Sequence, residues 1–106
     1  MYAIIRENQY DPEKLMQSGK EMEEFNARHA AQPGYEGNLV IDLSKGRMLI
    51  VTVWKTEKQA HAARVTLEPD IQRLLVPLMT RPSQLVGAGS VVVSDLAKSA
   101  NAGARH

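Results

Sequence analysis

The sequence predicts an α+β fold with the element order β-α-β-β-α-β and an antiparallel sheet. Two observations predict it: short runs rich in β-branched and aromatic residues, and intervening segments with apolar residues at helical spacing. This order is that of the ferredoxin-like split βαβ arrangement. The 106 residues suit one domain, which we expect to span residues 1–95. Residues 96–106 are small and polar, so a flexible C-terminal tail is expected there.

The first part of the chain predicts a strand followed by a helix. Tyr2–Glu7 is short and β-branched, as is typical of a strand. Asp11 is a favourable N-cap and Pro12 suits the first helical position, so a helix is expected to about His29. Its stripe consists of Leu15, Met22, Phe25 and His29. Gly19 lies on the same stripe, where a close approach to another backbone would explain it.

Three further strands are expected in the rest of the chain. Asn38–Leu43 and Met48–Trp54 should form an antiparallel hairpin. They are joined by the turn-like segment Ser44–Arg47, in which Gly46 would supply a positive φ. Ser90–Asp95 is rich in valine and is predicted as the fourth strand.

The second helical region follows the hairpin. Thr56 and Gln59 resemble a capping box, which predicts a helix to about Val65. A separate helical piece should start near Glu68, and Pro77 should kink or end it. Its apolar stripe consists of Ile71, Leu74, Leu75, Leu78 and Met79.

Both faces of the predicted sheet are apolar, which is unusual for an antiparallel sheet. In the third strand one face carries Met48, Ile50, Thr52 and Trp54, and the other carries Leu49, Val51 and Val53. The two helical regions can cover one face, and the chain has no further element for the other. We therefore expect a homodimer in which two sheets pack face to face.

Composition excludes several kinds of site. The chain has no cysteine, which excludes disulfides, thiolate metal ligands and cysteine nucleophiles. Its formal net charge is +1, so there is no electrostatic case for binding nucleic acid or an anionic membrane. The three histidines do not form a metal-ligand pattern, and the N-terminus does not resemble a signal peptide. We expect a cytoplasmic protein without a metal ion and without a membrane span.

Three segments carry a family resemblance: YAIIREN as the first strand, FNARHAAQPGYEGN as a helix end and turn, and VTVWKTEKQAHAA as a strand and helix start. With them the chain resembles the antibiotic-biosynthesis-monooxygenase-like proteins of the dimeric α+β barrel superfamily. The resemblance covers roughly residues 1–95 and implies this fold and a dimer. The family includes cofactor-free quinone-forming monooxygenases, haem-degrading oxygenases, isomerases of small lactones and members without known activity.

The chain departs from two of these groups. Asn8 matches an Asn that ends the first strand in haem-degrading members, but their second Trp and axial His fall near Arg64 and near Arg73 or Leu74 here. The resemblance therefore argues against haem, and no cofactor is expected. Many quinone-forming members carry a His nine or so residues after the Trp, where the nearest match is again Arg64.

Five residues are candidates for a site. His29 could act as a general base, or pack at the helix end against the C-terminal dipole. Asn8 could donate a hydrogen bond to a ligand oxyanion, or bond local backbone in a turn. Trp54, with Phe25, could form the wall of an apolar pocket, or cap the core. Arg64 could bind an anionic ligand or form a surface ion pair.

Two functions follow from these alternatives. The first is a cofactor-independent monooxygenase-like protein acting on a small, planar, apolar molecule that resembles a phenol or quinol. The second is a non-catalytic dimeric module that binds a small ligand or is purely structural. The second needs an apolar pocket or face and no catalytic residue.

Overall fold

The computed structural model describes residues 1–92 and residue 95. Four antiparallel strands form one sheet in the order β2-β3-β1-β4. The strands are β1 (Tyr2–Gln9), β2 (Tyr35–Asp42), β3 (Arg47–Trp54) and β4 (Gln84–Ser90). The helices are α1 (Pro12–Met16), α2 (Gly19–Ala30) and α3 (Glu57–Asp70), and α3 continues into a π-helical turn (Ile71–Leu75) and a 3₁₀ turn (Val76–Leu78). The predicted α+β, ferredoxin-like fold is confirmed.

The first helical region is broken in two, although one helix from Pro12 to about His29 was expected. Asp11 caps α1 as predicted, since its carboxylate accepts hydrogen bonds from two backbone N–H groups. The Ser18 hydroxyl then donates to the Leu15 carbonyl oxygen at 2.7 Å, which closes α1. Gly19 begins α2, and a Cβ added there would meet nothing within 4 Å. The expected close backbone approach at Gly19 is therefore wrong.

The second helical region is continuous, although a break between Val65 and Glu68 was expected. Thr56 caps α3 as predicted, since its hydroxyl oxygen accepts a hydrogen bond from the Gln59 N–H at 3.1 Å. Pro69 lies inside α3, and the π-helical turn follows it directly. The helix passes Val65 because its buried residues keep helical spacing into the π turn: Ala60, Ala63, Leu67, Ile71 and Leu74.

The fourth strand lies earlier than expected. β4 is the glycine-containing Gln84–Ser90, so the prediction of a strand over Ser90–Asp95 is wrong in position. β1 begins at Tyr2, which pairs with Ser90, and beyond this pair the Val91 N–H still donates to the Met1 carbonyl oxygen at 2.9 Å. Residues 93 and 94 of the predicted strand, and the predicted tail 96–106, lie outside the described residues.

The two faces of the sheet differ in cover. One face packs against the helices through a core that contains Trp54, Ala60, Ala63, Leu67, Ile71 and Leu75. On the other face Leu39 and Ile41, which pair with Val51 and Leu49 of β3, are 44% and 42% exposed. No described element packs over this second face, which we call the open face.

Candidate functional site

A cavity of about 160 Å³ lies between the helices and the covered face of the sheet. Its lining is mostly apolar and includes alternate residues of the two central strands, Ile4, Arg6 and Asn8 from β1 and Ile50, Thr52 and Trp54 from β3. Alternation puts these side chains on one face of the sheet. Phe25 and His29 of α2 and Arg64 of α3 also line the cavity, so it brings together all five predicted site residues.

Aromatic rings close one end of the cavity. The His29 ring centroid lies 5.6 Å from that of Trp54, 5.2 Å from that of Tyr35 and 5.5 Å from that of Phe25. Trp54 is 3% exposed and belongs to the main core cluster, yet it also lines the cavity. The two alternatives for Trp54 are therefore compatible, since one ring caps the core and walls the cavity.

His29 is held in its neutral form by its surroundings. Burial lowers the pKa of His29 below the usual 6.5. At neutral pH its imidazole therefore carries an unprotonated nitrogen that can accept a proton. Within the described part of the chain no hydrogen bond to this imidazole is found, so packing against the three rings sets its orientation.

The opposite end of the cavity is polar. Asn8 is 5% exposed, and its Nδ2 donates a hydrogen bond to the Tyr10 hydroxyl at 2.9 Å. The Asn8 Oδ1 is buried and has no hydrogen-bond partner among the described residues. Burial raises the pKa of Tyr10, while the hydrogen bond from Asn8 lowers it. The Tyr10 hydroxyl thus stays protonated at neutral pH and can donate to a ligand.

The two polar candidates lie far apart along the sheet. Trp54, beside His29, pairs with Tyr2 of β1, whereas Asn8 lies six residues further along the same strand. At roughly 3.3 Å per residue this separates Tyr2 and Asn8 by about 20 Å. His29 and Asn8 would therefore contact different parts of a bound molecule.

Two arginines occupy the middle of the cavity. Arg64 forms an ion pair with Glu68 at 3.6 Å, which is the second of its two alternatives, and it also lines the cavity. Arg6 is half-buried, and burial together with the nearby Arg64 charge lowers the pKa of Arg6. The sequence alone did not indicate Arg6 or Tyr10 as site residues. The missed signal is the alternation Ile4, Arg6, Asn8 and Tyr10, which continues one face of β1 beyond its expected end.

Two further observations concern metal sites and membrane spans. Among residues 1–92 and 95, no group of three His, Asp or Glu side chains is placed to hold a metal ion. In the same part of the chain, no helix is long and apolar enough to cross a bilayer.

Comparison with solved structures gives the fold. A candidate antibiotic biosynthesis monooxygenase from Nitrosomonas europaea superposes with a TM-score of 0.71 at 18% identity, over 88% of this chain and 100% of that one. The chain shares the fold of antibiotic biosynthesis monooxygenase-like proteins. SnoaB, a cofactor-independent oxygenase from Streptomyces nogalater, superposes with a TM-score of 0.69 at 14% identity, over 88% of this chain and 94% of that one.

The same fold also occurs without a known activity. A protein of unknown function from Nitrosomonas europaea superposes with a TM-score of 0.71 at 8% identity, over 88% of this chain and 90% of that one. No protein-family model and no curated protein matches the chain. The structural likeness therefore establishes the fold, and function has to be argued from the cavity.

Proposed function

We propose that this protein is a cofactor-independent monooxygenase acting on a planar, apolar molecule that resembles a phenol or quinol. The observation that carries the proposal is the apolar cavity whose aromatic end holds a neutral imidazole, with His29 5.6 Å from Trp54. The rings of Phe25 and Trp54, which line the cavity beside His29, favour a flat ligand. The shared fold with a cofactor-independent oxygenase is a supporting analogy.

The proposed chemistry needs a base and a dry pocket. His29 accepts a proton from the substrate, and the resulting carbanion or phenolate reduces dioxygen directly. For an anthrone-type methylene, one oxygen atom becomes the new carbonyl and the other leaves as water, which accounts for both hydrogens and all four electrons. Asn8 and the Tyr10 hydroxyl line the opposite end of the cavity, where they would bind a polar group only of a substrate long enough to extend there from His29.

Oxygen uptake with a panel of hydroquinones and anthrones tests the proposal. We expect His29→Gln to lower the rate about a hundredfold or more, as loss of a general base does. His61→Gln is the matched control, because His61 is exposed and pairs with Glu57 on the surface. An equal rate in the wild type and His29→Gln would remove His29 from the mechanism.

We also propose that two copies associate through the open face. The proposal rests on the exposed Leu39 and Ile41 of β2, and on the half-buried apolar side chains of β3 beside them, which the described part of the chain leaves uncovered. Removing such a surface from water contributes roughly 25 cal/mol per Å². A 106-residue chain has a modest core, so this contribution would be a substantial share of its stability.

A non-catalytic ligand-binding module is the second candidate. It is favoured by the His29 imidazole, for which the described residues provide no orienting carboxylate or carbonyl. A thermal-shift screen separates the two candidates. Ligands that raise the melting temperature without consuming oxygen favour binding, whereas ligands that are consumed favour catalysis.

A further inference from the structure

A second opening adjoins the cavity. It shares Arg64, Ile71, Met79 and Ser83 with the cavity lining and adds Arg81 at its outer side. No Asp or Glu is found among the described residues that line either space. The formal charges that line the two spaces are therefore those of Arg6, Arg64 and Arg81.

The innermost of these charges is poorly compensated. Arg6 has no carboxylate within 4.0 Å among the described residues, and the charges of Arg64 and Glu68 act on its pKa in opposite directions. Glu68 is already paired with Arg64 at 3.6 Å, so the three groups together retain one positive charge. With one positive charge left over, a further anion between the two guanidinium groups would be favourable.

Unpartnered polar atoms lie along the same lining. The Ser83 hydroxyl, shared by the opening and the cavity, is buried without a hydrogen-bond partner among the described residues. The Asn8 Oδ1, two residues along β1 from Arg6, is in the same state. Buried polar groups without partners are rare in folded proteins and indicate a missing ligand group or water. The Ser83 hydroxyl could donate to an anion, whereas the Asn8 Oδ1 could only accept from a hydroxyl or a water.

We infer that the ligand of this cavity carries a carboxylate on its ring system, which enters past Arg81 and binds between Arg6 and Arg64. A carboxylate accepts two parallel hydrogen bonds from a guanidinium, which fixes its orientation as well as its position. Its ring system then lies along the apolar lining toward Trp54 and His29. The inference that the substrate carries a carboxylate rests on the proposed monooxygenase function. The inference that the cavity binds a carboxylate does not.

Calorimetric titration with 2-naphthoate and 2-naphthamide at pH 7 tests the inference, since the pair differs in charge and hardly in shape. We expect the naphthoate to bind at least tenfold more tightly, and to weaken as salt is added. Arg6→Met and Arg64→Met should each abolish the preference, and Arg6→Lys should retain part of it. Arg28→Met is the matched control, because Arg28 is an exposed arginine that lines neither space.

Glu68→Gln should strengthen the binding of naphthoate, whereas the arginine variants should weaken it. It removes the carboxylate that competes for Arg64, so the naphthoate should bind more tightly to this variant than to the wild type. Thermal unfolding of each variant confirms that it folds. Equal binding of naphthoate and naphthamide by the wild type, or an undiminished preference in Arg6→Met, would overturn the inference.

A phenolate is the other source of a ring-bound oxyanion, and 2-naphthol distinguishes it. If ionised 2-naphthol bound more tightly than naphthoate, the site would select a phenolate, and the carboxylate assignment would be overturned. Oxygen uptake with 1,4-dihydroxy-2-naphthoate and 1,4-dihydroxynaphthalene separates this inference from the proposed function. A preference for naphthoate without oxygen uptake would contradict only the proposed monooxygenase function. Oxygen uptake without any preference for the carboxylate would contradict only the inference about the carboxylate.

Discussion

His29 is the residue whose protonation matters most for the cavity. Its imidazole packs against Trp54, Tyr35 and Phe25, and a charge there would be poorly solvated. Burial therefore lowers the pKa of His29 in the folded chain relative to the unfolded chain, where it is near 6.5. Between the two pKa values the unfolded state binds more protons than the folded state.

The sign of the pH effect on stability follows from this difference. The stability contributed by neutral His29 is present in full above pH 6.5 and is lost as the pH falls through the folded-state pKa. We expect urea unfolding, followed by circular dichroism, to give a steeper loss of stability below pH 6.5 in the wild type than in His29→Gln. His61→Gln should behave like the wild type, and identical pH profiles for all three proteins would contradict the assignment.

Position 46 requires a glycine because of its backbone conformation as well as the lack of space for a side chain. It has a φ of +81°, and a Cβ there would run into the Tyr10 carbonyl oxygen. The Tyr10 N–H also donates to the Gly46 carbonyl oxygen at 2.8 Å. Any shift of this turn therefore moves Tyr10 and, through its hydroxyl, Asn8.

We expect Gly46→Ala to lower the free energy of unfolding by more than about 1 kcal/mol, because both strain and a clash are introduced. Gly87→Ala is the control, since Gly87 has no positive φ and its added Cβ would meet nothing within 4 Å. Urea unfolding of the two variants measures the difference. A Gly46→Ala protein as stable as Gly87→Ala would show that the turn can relax.

At the scale of elements, α3 links the sheet to the cavity. It begins three residues after Trp54 and carries Ala60, Arg64 and Leu67 along the cavity lining. Its first turn depends on Thr56, whose hydroxyl oxygen accepts the Gln59 N–H. Fraying of this turn would loosen the chain directly beside Trp54.

Thr56→Ala should therefore lower the free energy of unfolding by about 1 kcal/mol, as loss of an N-cap usually does. Thr66→Ala is the matched control on the exposed side of α3, where alanine is the better helix former. We expect Thr66→Ala to be neutral or slightly stabilising in thermal and urea unfolding. A Thr56→Ala variant as stable as Thr66→Ala would show that the cap contributes little.

The elements differ in how well sequence patterns predict them. β1 and the β2–β3 hairpin are predictable because β-branched residues crowd into short runs between turn signals. β4 is not, because a strand with Gly87 and Gly89 gives no periodic signal and exists by pairing with β1. Periodicity also misses the break at Gly19, where Ser18 closes one helix and the next begins.

The residues of the site also differ in how well the sequence predicts them. Trp54, His29 and Phe25 are predictable because strand alternation and helical spacing direct them to the same interior. Arg6 is not, because an arginine beside a glutamate in a strand is typical of an exposed position. Tyr10 follows the expected end of β1, and its role depends on a bridge to Met79 that joins distant parts of the chain.

At the scale of the whole molecule, the open face makes the oligomeric state testable. If two sheets pack through it, Ile41→Lys would bury a charge at the interface, which is strongly unfavourable. We expect a dimeric mass for the wild type in equilibrium sedimentation and a shift toward monomer for Ile41→Lys. Val65→Lys is the control, since Val65 is 77% exposed on α3 and away from this face. A monomeric wild type at micromolar concentration would contradict the proposed association.

Trp54 also makes the molecule its own optical probe. It is the single tryptophan of the chain, and its indole forms the cavity wall next to His29. All tryptophan emission therefore originates at this wall, without interference from other parts of the protein. A filled cavity, a protonated imidazole and an unfolded chain each change the surroundings of the same fluorophore, so unlabelled protein in a cuvette can report on all three.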